Sequence, residues 1–320
     1  MVQHIAARLK EGLNRRVVCQ EAFTDLAVTA FFAGGHLLVE GPIGSGKTTW
    51  SNAFARLLGT VPYAPKGFSP AKSEGDYSPP QRDQKSEYVV FFLDEEAYRK
   101  GHSTNIIELT DESWITVMQE DGTHETGPFF LVATVNPGEP FIQNSAADRF
   151  IMKLSLSNPG VSAEKQLLQM IHNGFGTEEI NFVLSAGEYE EARREINEVA
   201  VNDGIFTYIV SIVETARRLE ATTHSPSPRG SIALLTAAKA HAAIAGRNFV
   251  TYQDIQTLAL PTLCHRLHLT QEAESEGFTP ESIIGGILAQ VKPPQHAHTP
   301  PPTQSDDHPE ESPLSSLLDE

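Results

Sequence analysis

The chain has 320 residues, 40% of them hydrophobic, and a formal net charge of −17. That length and hydrophobic content suit a globular protein of about two domains, and no run approaches the roughly 20 apolar residues of a membrane helix. The charge argues against a general binder of nucleic acid or of anionic membrane surfaces, which needs clustered lysine and arginine. Cys19 and Cys264 are the only cysteines, far apart and in no metal spacing, which fits a reduced, cytoplasmic setting.

Residues 1–35 read as two helices, the first amphipathic and without the apolar core of a signal peptide. The second, "QEAFTDLAVTAFFAGG", places Phe23, Leu26, Ala30 and Phe31 on one side. Leu37, Leu38 and Val39 then form a short apolar strand of the kind buried in parallel sheets. "EGPIGSGKTTWSNAFARLLG" follows, with a helix opening at Thr48, Thr49 and Trp50, burying Phe54, Leu57 and Leu58, and ending at Gly59. Residues 60–88 are polar and rich in proline and glycine, a long loop beside the glycine-rich turn. "YVVFFLDEE" reads as a second buried strand ending in acids, and "TNIIELTDES" as a helix. "WITVMQEDGTHETGPFFLVATVNPG" reads as a hairpin turning at Asp121-Gly122 and leading into a third apolar strand. "IMKL" reads as a fourth.

From Asn158 onward strands are expected to stop and helices to take over. "GIFTYIVSIVETARRL" aligns Ile205, Ile209, Ile212, Val213, Ala216 and Leu219. "SPRGSIALLTAAKAHAAIAG" starts with Ser227 as N-cap and Pro228 at the first helical position. "TYQDIQTLAL" has Thr251 and Asp254 at capping-box spacing. The expected organisation is an α/β core over residues 1–158, an α-helical domain over 159–290, and a disordered, acidic, proline-rich tail over 291–320. At the end of that tail Leu314, Leu317 and Leu318 share a helical face, which suits a frayed end of no consequence or a short helix that docks on a partner.

The chemistry centres on the first strand–loop–helix unit. Gly41, Pro42, Ile43, Gly44, Ser45, Gly46, Lys47 and Thr48 complete the pattern G-x-x-x-x-G-K-[ST], with Thr49 next. The glycines let backbone N–H groups converge where side chains would block a ligand. The helix N-terminus adds roughly half a positive charge and Lys47 a whole one, so the turn suits a nucleotide triphosphate, with Thr48 offering its hydroxyl to Mg²⁺. Asp94, at the end of the second strand, suits Mg²⁺ as well, and Glu95 suits a base that takes a proton from attacking water. The same acids also suit a solvated loop; the apolar strand before them and the P-loop upstream favour the first reading. Asn136 ends the third strand, where an amide sits well beside a γ-phosphate, although Asn-Pro is also a common turn. Arg149 in "ADRF" suits a surface arginine or one that stabilises phosphate charge on a neighbouring subunit. Arg229 opposes the dipole of its own helix, which a nearby anion would explain.

The order of these parts resembles the MoxR family of AAA+ ATPases. The resemblance rests on "VVCQEAFTDLAVTAFFAGGHLLVEGPIGSGKTT", "VVFFLDE", "FFLVATVNP", "ADRF" and "SPRGSIALLTAAKAHAAIAGRNFVTYQDIQTLALPTLCHRL", which together span most of residues 17–267. It implies an αβα core with a parallel sheet and a helical lid, ATP and Mg²⁺ as cofactors, and a hexameric ring with nucleotide at the subunit seams. By that resemblance Lys47 and Thr48 belong to Walker A, Asp94 and Glu95 to Walker B, Asn136 is sensor 1, Arg149 the arginine finger supplied in trans, and Arg229 sensor 2. It further implies chaperone-like remodelling of a protein partner, often one with a von Willebrand factor A domain. The chain departs from the family in "DEEAYRK" after the Walker B strand and in Cys19, where glycine is usual. Two readings of another class are a P-loop small-molecule kinase and a nucleotide-switched recruitment module with little hydrolysis. The second arginine and the helical domain disfavour the kinase, and Glu95 disfavours the switch.

Overall fold

A computed structural model of the chain describes residues 1–18, 21–58, 89–93, 114–118, 124–138, 147–173 and 184–294. The strand that precedes the glycine-rich loop, β1 (His36–Glu40), lies inside the main sheet. Two later strands flank it: β4 (His124–Val135) on one side and β5 (Phe150–Ser155) on the other, both parallel to it. β2 (Val89–Leu93) extends the sheet in parallel beyond β4, giving the order β2-β4-β1-β5. β3 (Trp114–Met118) pairs antiparallel with the first half of β4, Met118 opposite His124. The sheet is therefore parallel except for the arm that the hairpin pattern anticipates, and the turn at Asp121-Gly122 lies outside the described residues.

Leu37, Leu38 and Val39 are buried in β1, as a strand flanked on both sides requires. Of the first three helices, α1 (Val2–Asn14), α2 (Glu21–Phe32) and α3 (Lys47–Leu57), α2 packs on β1 and α1 packs on both α2 and α3. Phe31 of α2 is a hub, meeting Phe54 of α3 and Phe130 of β4 edge-on with centroids 5.4 Å apart in each case. Trp50 stacks on Phe54 at 5.1 Å and takes the edge of Phe23 at 5.2 Å. Burial on α2 is wider than the expected single stripe. Thr24, Ala27, Val28 and Thr29 are buried with Phe23, Ala30 and Phe31, whereas Leu26 is only half-buried. The cause is tertiary: besides α1 and strands β1 and β5, α2 touches two helices from the second half of the chain. Thr29 satisfies its hydroxyl by donating to Asp25 O at 2.8 Å.

After β5 come α4 (Val161–His172), α5 (Ala186–Asn197), α6 (Asp203–Arg217), α7 (Pro228–Ile244), α8 (Tyr252–Leu263), α9 (Gln271–Ser275) and α10 (Pro280–Gln290). The expected face of α6 is buried from Ile205 to Ala216, with Tyr208 added and Leu219 beyond the helix end. Ser227 caps α7 by accepting from Arg229 N, with Pro228 in the first turn. Thr251 and Asp254 form the expected capping box on α8. Strands do not stop at Asn158, however. β6 (Thr222–His224) and β7 (His268–Leu269) make a small antiparallel pair, and Ala200 bridges to Phe249. These ladders pair backbone groups of the connections between helices, and their pieces are too short to show any period. The core is continuous across both halves of the chain. Among the described residues no helix is long and apolar enough to cross a membrane.

Candidate functional site

The P-loop begins where β1 ends, and both neighbouring strands fix that point. Gly41 N donates to Val135 O at 3.0 Å and Leu156 N donates to Glu40 O at 2.7 Å. Glu40 is held laterally by Lys153 at 2.9 Å. No side chain fits at position 41, because a Cβ there would stand 2.3 Å from Leu156 O. Further along, Gly44 and Gly46 have φ of +84° and +93°, in the left-handed region that favours glycine. A Cβ added at either would meet no described atom within 4 Å, so both glycines face open space.

α3 starts at Lys47 with Gly46 as N-cap, a residue with no side chain to accept from the first turn. α1 and α4 likewise lack a side-chain cap, whereas α5, α6, α7, α8, α9 and α10 all have a serine, threonine or asparagine whose side chain accepts from the first turn. An anion would satisfy the open donors of α3 and favour its dipole. Lys47 is half-buried, and Thr48 and Thr49 are exposed in the first turn. The Lys47 ammonium donates to Gly41 O, to Pro42 O at 2.9 Å and to Asn136 Oδ1 at 3.3 Å. It thus spans the loop and the end of β4. Asn136 reaches it because Val135 lies opposite Glu40 in the parallel register, so the residues that follow leave the same edge of the sheet. Ser45 Oγ is buried with no hydrogen-bond partner among the described residues. Open glycines, uncapped N–H groups and a lysine that bridges them together fit a polyphosphate.

Asp94 and Glu95 lie outside the described residues. The strand before them ends at Leu93, opposite Ala133 of β4, at the carboxyl edge from which the P-loop leaves.

Arg149 and Arg229 belong to a second cluster, and its organiser is a residue that the sequence reading passed over. Asp148, half-buried between them, accepts from Arg266 Nε at 3.0 Å through Oδ1 and from Ser227 Oγ at 3.0 Å through Oδ2. The guanidinium of Arg229 stands 4.0 Å from that same Oδ2. Arg149, half-buried, is next in the chain, just before β5. Arg266 is 5% exposed. It also donates to Asp148 O at 2.9 Å, Phe150 O at 2.7 Å and Thr262 O at 2.8 Å. Burial pulls its pKa down to about 10, with Asp148 opposing, so it stays cationic at neutral pH. Beside it His265 is buried, with Nε2 2.9 Å from Phe150 O. Burial and the Arg266 charge hold its pKa well below the usual histidine value, and the ring is neutral. The only signal of this cluster in the sequence was a charge inside the apolar stretch "LCHRLHL"; nothing there revealed its partner 118 residues away. Cys264 carries no site either, since burial pushes its thiol up to about 12.

Known proteins resemble this chain over most of its length. Residues 214–287 match the AAA lid domain family. A relative from Bacillus subtilis, the uncharacterized protein YeaC, is 32% identical over 305 residues, covering 89% of this chain and 93% of its own. The chaperone MoxR1 of Mycobacterium tuberculosis is 25% identical over 93% of this chain and 86% of its own. The protein MoxR of Paracoccus denitrificans is 25% identical over 88% and 94%. The crystal structure of a putative ATPase from Cytophaga hutchinsonii shares the fold, with a TM-score of 0.73 over 91% of this chain and 95% of its own at 24% identity. With a P-loop at the carboxyl edge of a largely parallel sheet, a matching lid and full-length relatives, the chain belongs to the MoxR family of AAA+ ATPases.

Proposed function

We propose that the protein hydrolyses ATP with Mg²⁺ in a hexameric ring and uses the cycle to remodel or assemble a protein partner. The observation that carries this is Lys47, bridging the P-loop carbonyls and Asn136 at the uncapped start of α3. ATP would supply the phosphoryl group passed to water, and a bound Mg²⁺ would neutralise part of its charge. Gly41, Pro42, Ile43, Gly44, Ser45, Gly46, Lys47, Thr48 and Thr49 cradle the phosphates. Lys47 exchanges neutral carbonyl partners for phosphate oxygens, a gain for a half-buried cation. Thr48 and Asp94 hold the metal. Glu95 takes the proton of the attacking water, which Asn136 orients. Arg149 works across the seam on nucleotide held by the next subunit, and Arg229 works on the nucleotide of its own subunit.

In this reading residues 1–158 are the nucleotide-binding core, 159–290 the lid and 291–320 a tether. The AAA lid match over 214–287 supports the second of these. The name chaperone MoxR1, borne by a relative, supports remodelling as the output. The partner class we infer is a protein with a von Willebrand factor A domain, met in the cytoplasm.

The test compares Lys47→Ala and Glu95→Gln with the parent, in ATP binding and in steady hydrolysis without any small-molecule acceptor. Lys47→Ala is expected to lose binding. Glu95→Gln is expected to bind normally and to turn over about 10²–10⁴ times more slowly. Hydrolysis by Glu95→Gln at the parental rate would remove Glu95 from its role, and a parent that requires a phosphate acceptor would make the protein a kinase.

A further inference from the structure

Arg149 and Arg229 are 80 residues apart in the chain, yet one buried cation stands behind both. Through Nε and one terminal nitrogen Arg266 grips Asp148, taking its carboxylate at 3.0 Å and its carbonyl at 2.9 Å. The same terminal nitrogen fixes Phe150 O at 2.7 Å, so the residues on both sides of Arg149 are pinned. The other carboxylate oxygen of Asp148 receives the hydroxyl of Ser227, the N-cap that sets where α7 begins. Two residues later comes Arg229. The start of α7 also rests on the stem of Arg266: a Cβ added at Gly230 would stand 3.3 Å from Arg266 Cδ and 3.2 Å from Pro226 Cβ. Arg266 is itself anchored to α8 through Thr262 O at 2.8 Å.

We propose that Arg266, acting through Asp148, is a positioning residue for ATP hydrolysis, setting the segment that carries Arg149 and the helix start that carries Arg229 as one unit. The proposal rests on the roles given to those arginines above. Its physical basis is the shape of the guanidinium. Four donations in one plane, to a carboxylate and three carbonyls, need the rigid fork of arginine. An ammonium keeps the charge but cannot reach all four. A lid that shifts with nucleotide state then moves Asp148 with it, so the cross-subunit arginine and the lid arginine change position together.

Arg266→Lys tests this while the buried cation keeps its carboxylate, and Asp148→Asn tests it from the other side, removing the counter-charge of Arg266 while keeping an acceptor for its Nε. Two measurements are needed: backbone hydrogen exchange over residues 147–150 and 227–231 in the nucleotide-free protein, and kcat and KM for ATP. Arg266→Lys is expected to speed exchange in both segments together while exchange over β1 and α3 stays parental. Its kcat should fall by up to about 10²-fold, the scale of a misplacement near 1 Å, with KM little changed. In an Arg149→Ala background the further loss should be clearly less than multiplicative, because the two substitutions act on one unit. Asp148→Asn should shift the same quantities in the same direction, and it serves if Arg266→Lys does not fold. Parental kcat in both variants, or exchange that rises in one segment only, overturns the proposal. A multiplicative loss in the Arg149→Ala background also overturns it, leaving Arg266 a purely structural residue. A parent that does not hydrolyse ATP overturns the proposed function instead, and a parental rate unaffected by Arg149→Ala removes the arginine roles on which the unit depends.

Discussion

Two side chains in this protein, Asp148 and Arg266, are held by a contact that a sequence cannot display. Lys47 was legible because the strand, glycines and helix around it lie within two dozen residues, although its hydrogen bond to Asn136 spans 89. Asp148 and Arg266 were not, because their pairing needs β5 and the end of α8 to be side by side. His265, adjacent to Arg266, gives a prediction about pH. Its folded pKa is depressed by burial and by the Arg266 charge, so the unfolded chain binds the proton more readily than the folded one. The stability this contributes is complete above the unfolded value of about 6.5 and is lost as pH falls below it. Urea unfolding of the parent should therefore weaken from pH 7.5 to pH 5, by at most about 1.4 kcal/mol per pH unit from this group. His265→Gln should flatten that slope. His268, depressed by burial and by His224, should leave a smaller slope of the same sign. An unchanged slope in His265→Gln would place the titration elsewhere.

Among the elements, the ends of helices were easier to read than their faces. The caps at Ser227 and Thr251 are local chemistry, and the structure has both. The stripe on α2 was misjudged because helices from the second half of the chain cover a further side of it. The β6–β7 pair was missed because strands of two and three residues carry no pattern. α8 offers the clearest prediction at this scale. Asp254, 1% exposed, closes the capping box and also receives Arg247 through both terminal nitrogens, at 2.6 and 2.8 Å, and His241 at 2.6 Å. Burial would raise its pKa, but the hydrogen bonds from His241, Arg247 and Thr251 outweigh it and hold the carboxyl well below the usual range. Its contribution is thus present above the unfolded value of about 3.9 and fades as pH falls further. Thr251→Ala should cost about 1 kcal/mol, the usual worth of a cap. Asp254→Ala should cost clearly more, since it also strands Arg247 and His241. Equal losses in thermal unfolding would mean that the capping box alone matters and the arginine contributes nothing.

For the whole molecule, the strand, glycine loop and helix around Lys47 were readable and the proposed seam was not. A single chain displays no partner surface, and Glu95, the proposed base, lies outside the described residues. Two predictions belong here. Deleting residues 293–320, which carry Leu314, Leu317 and Leu318, should leave hydrolysis and ring formation as they are and weaken partner capture; equal recovery of partner by the shortened chain would reduce the tail to a solubility element. The other concerns catalysis across the seam. If Arg149 serves the nucleotide of the next subunit, then Arg149→Ala and Glu95→Gln chains should each bind ATP and turn over slowly. Mixed, they should regain activity, because some seams then pair an intact Arg149 with an intact Glu95. The decisive measurement is the steady ATPase rate of that mixture across a series of ratios, with Mg²⁺ present and the oligomeric state followed by light scattering. The account predicts a rate above either variant alone, highest at intermediate ratios and accompanied by a ring-sized particle. A mixture no faster than the average of its two components, or a chain that stays monomeric with ATP and Mg²⁺, would contradict it.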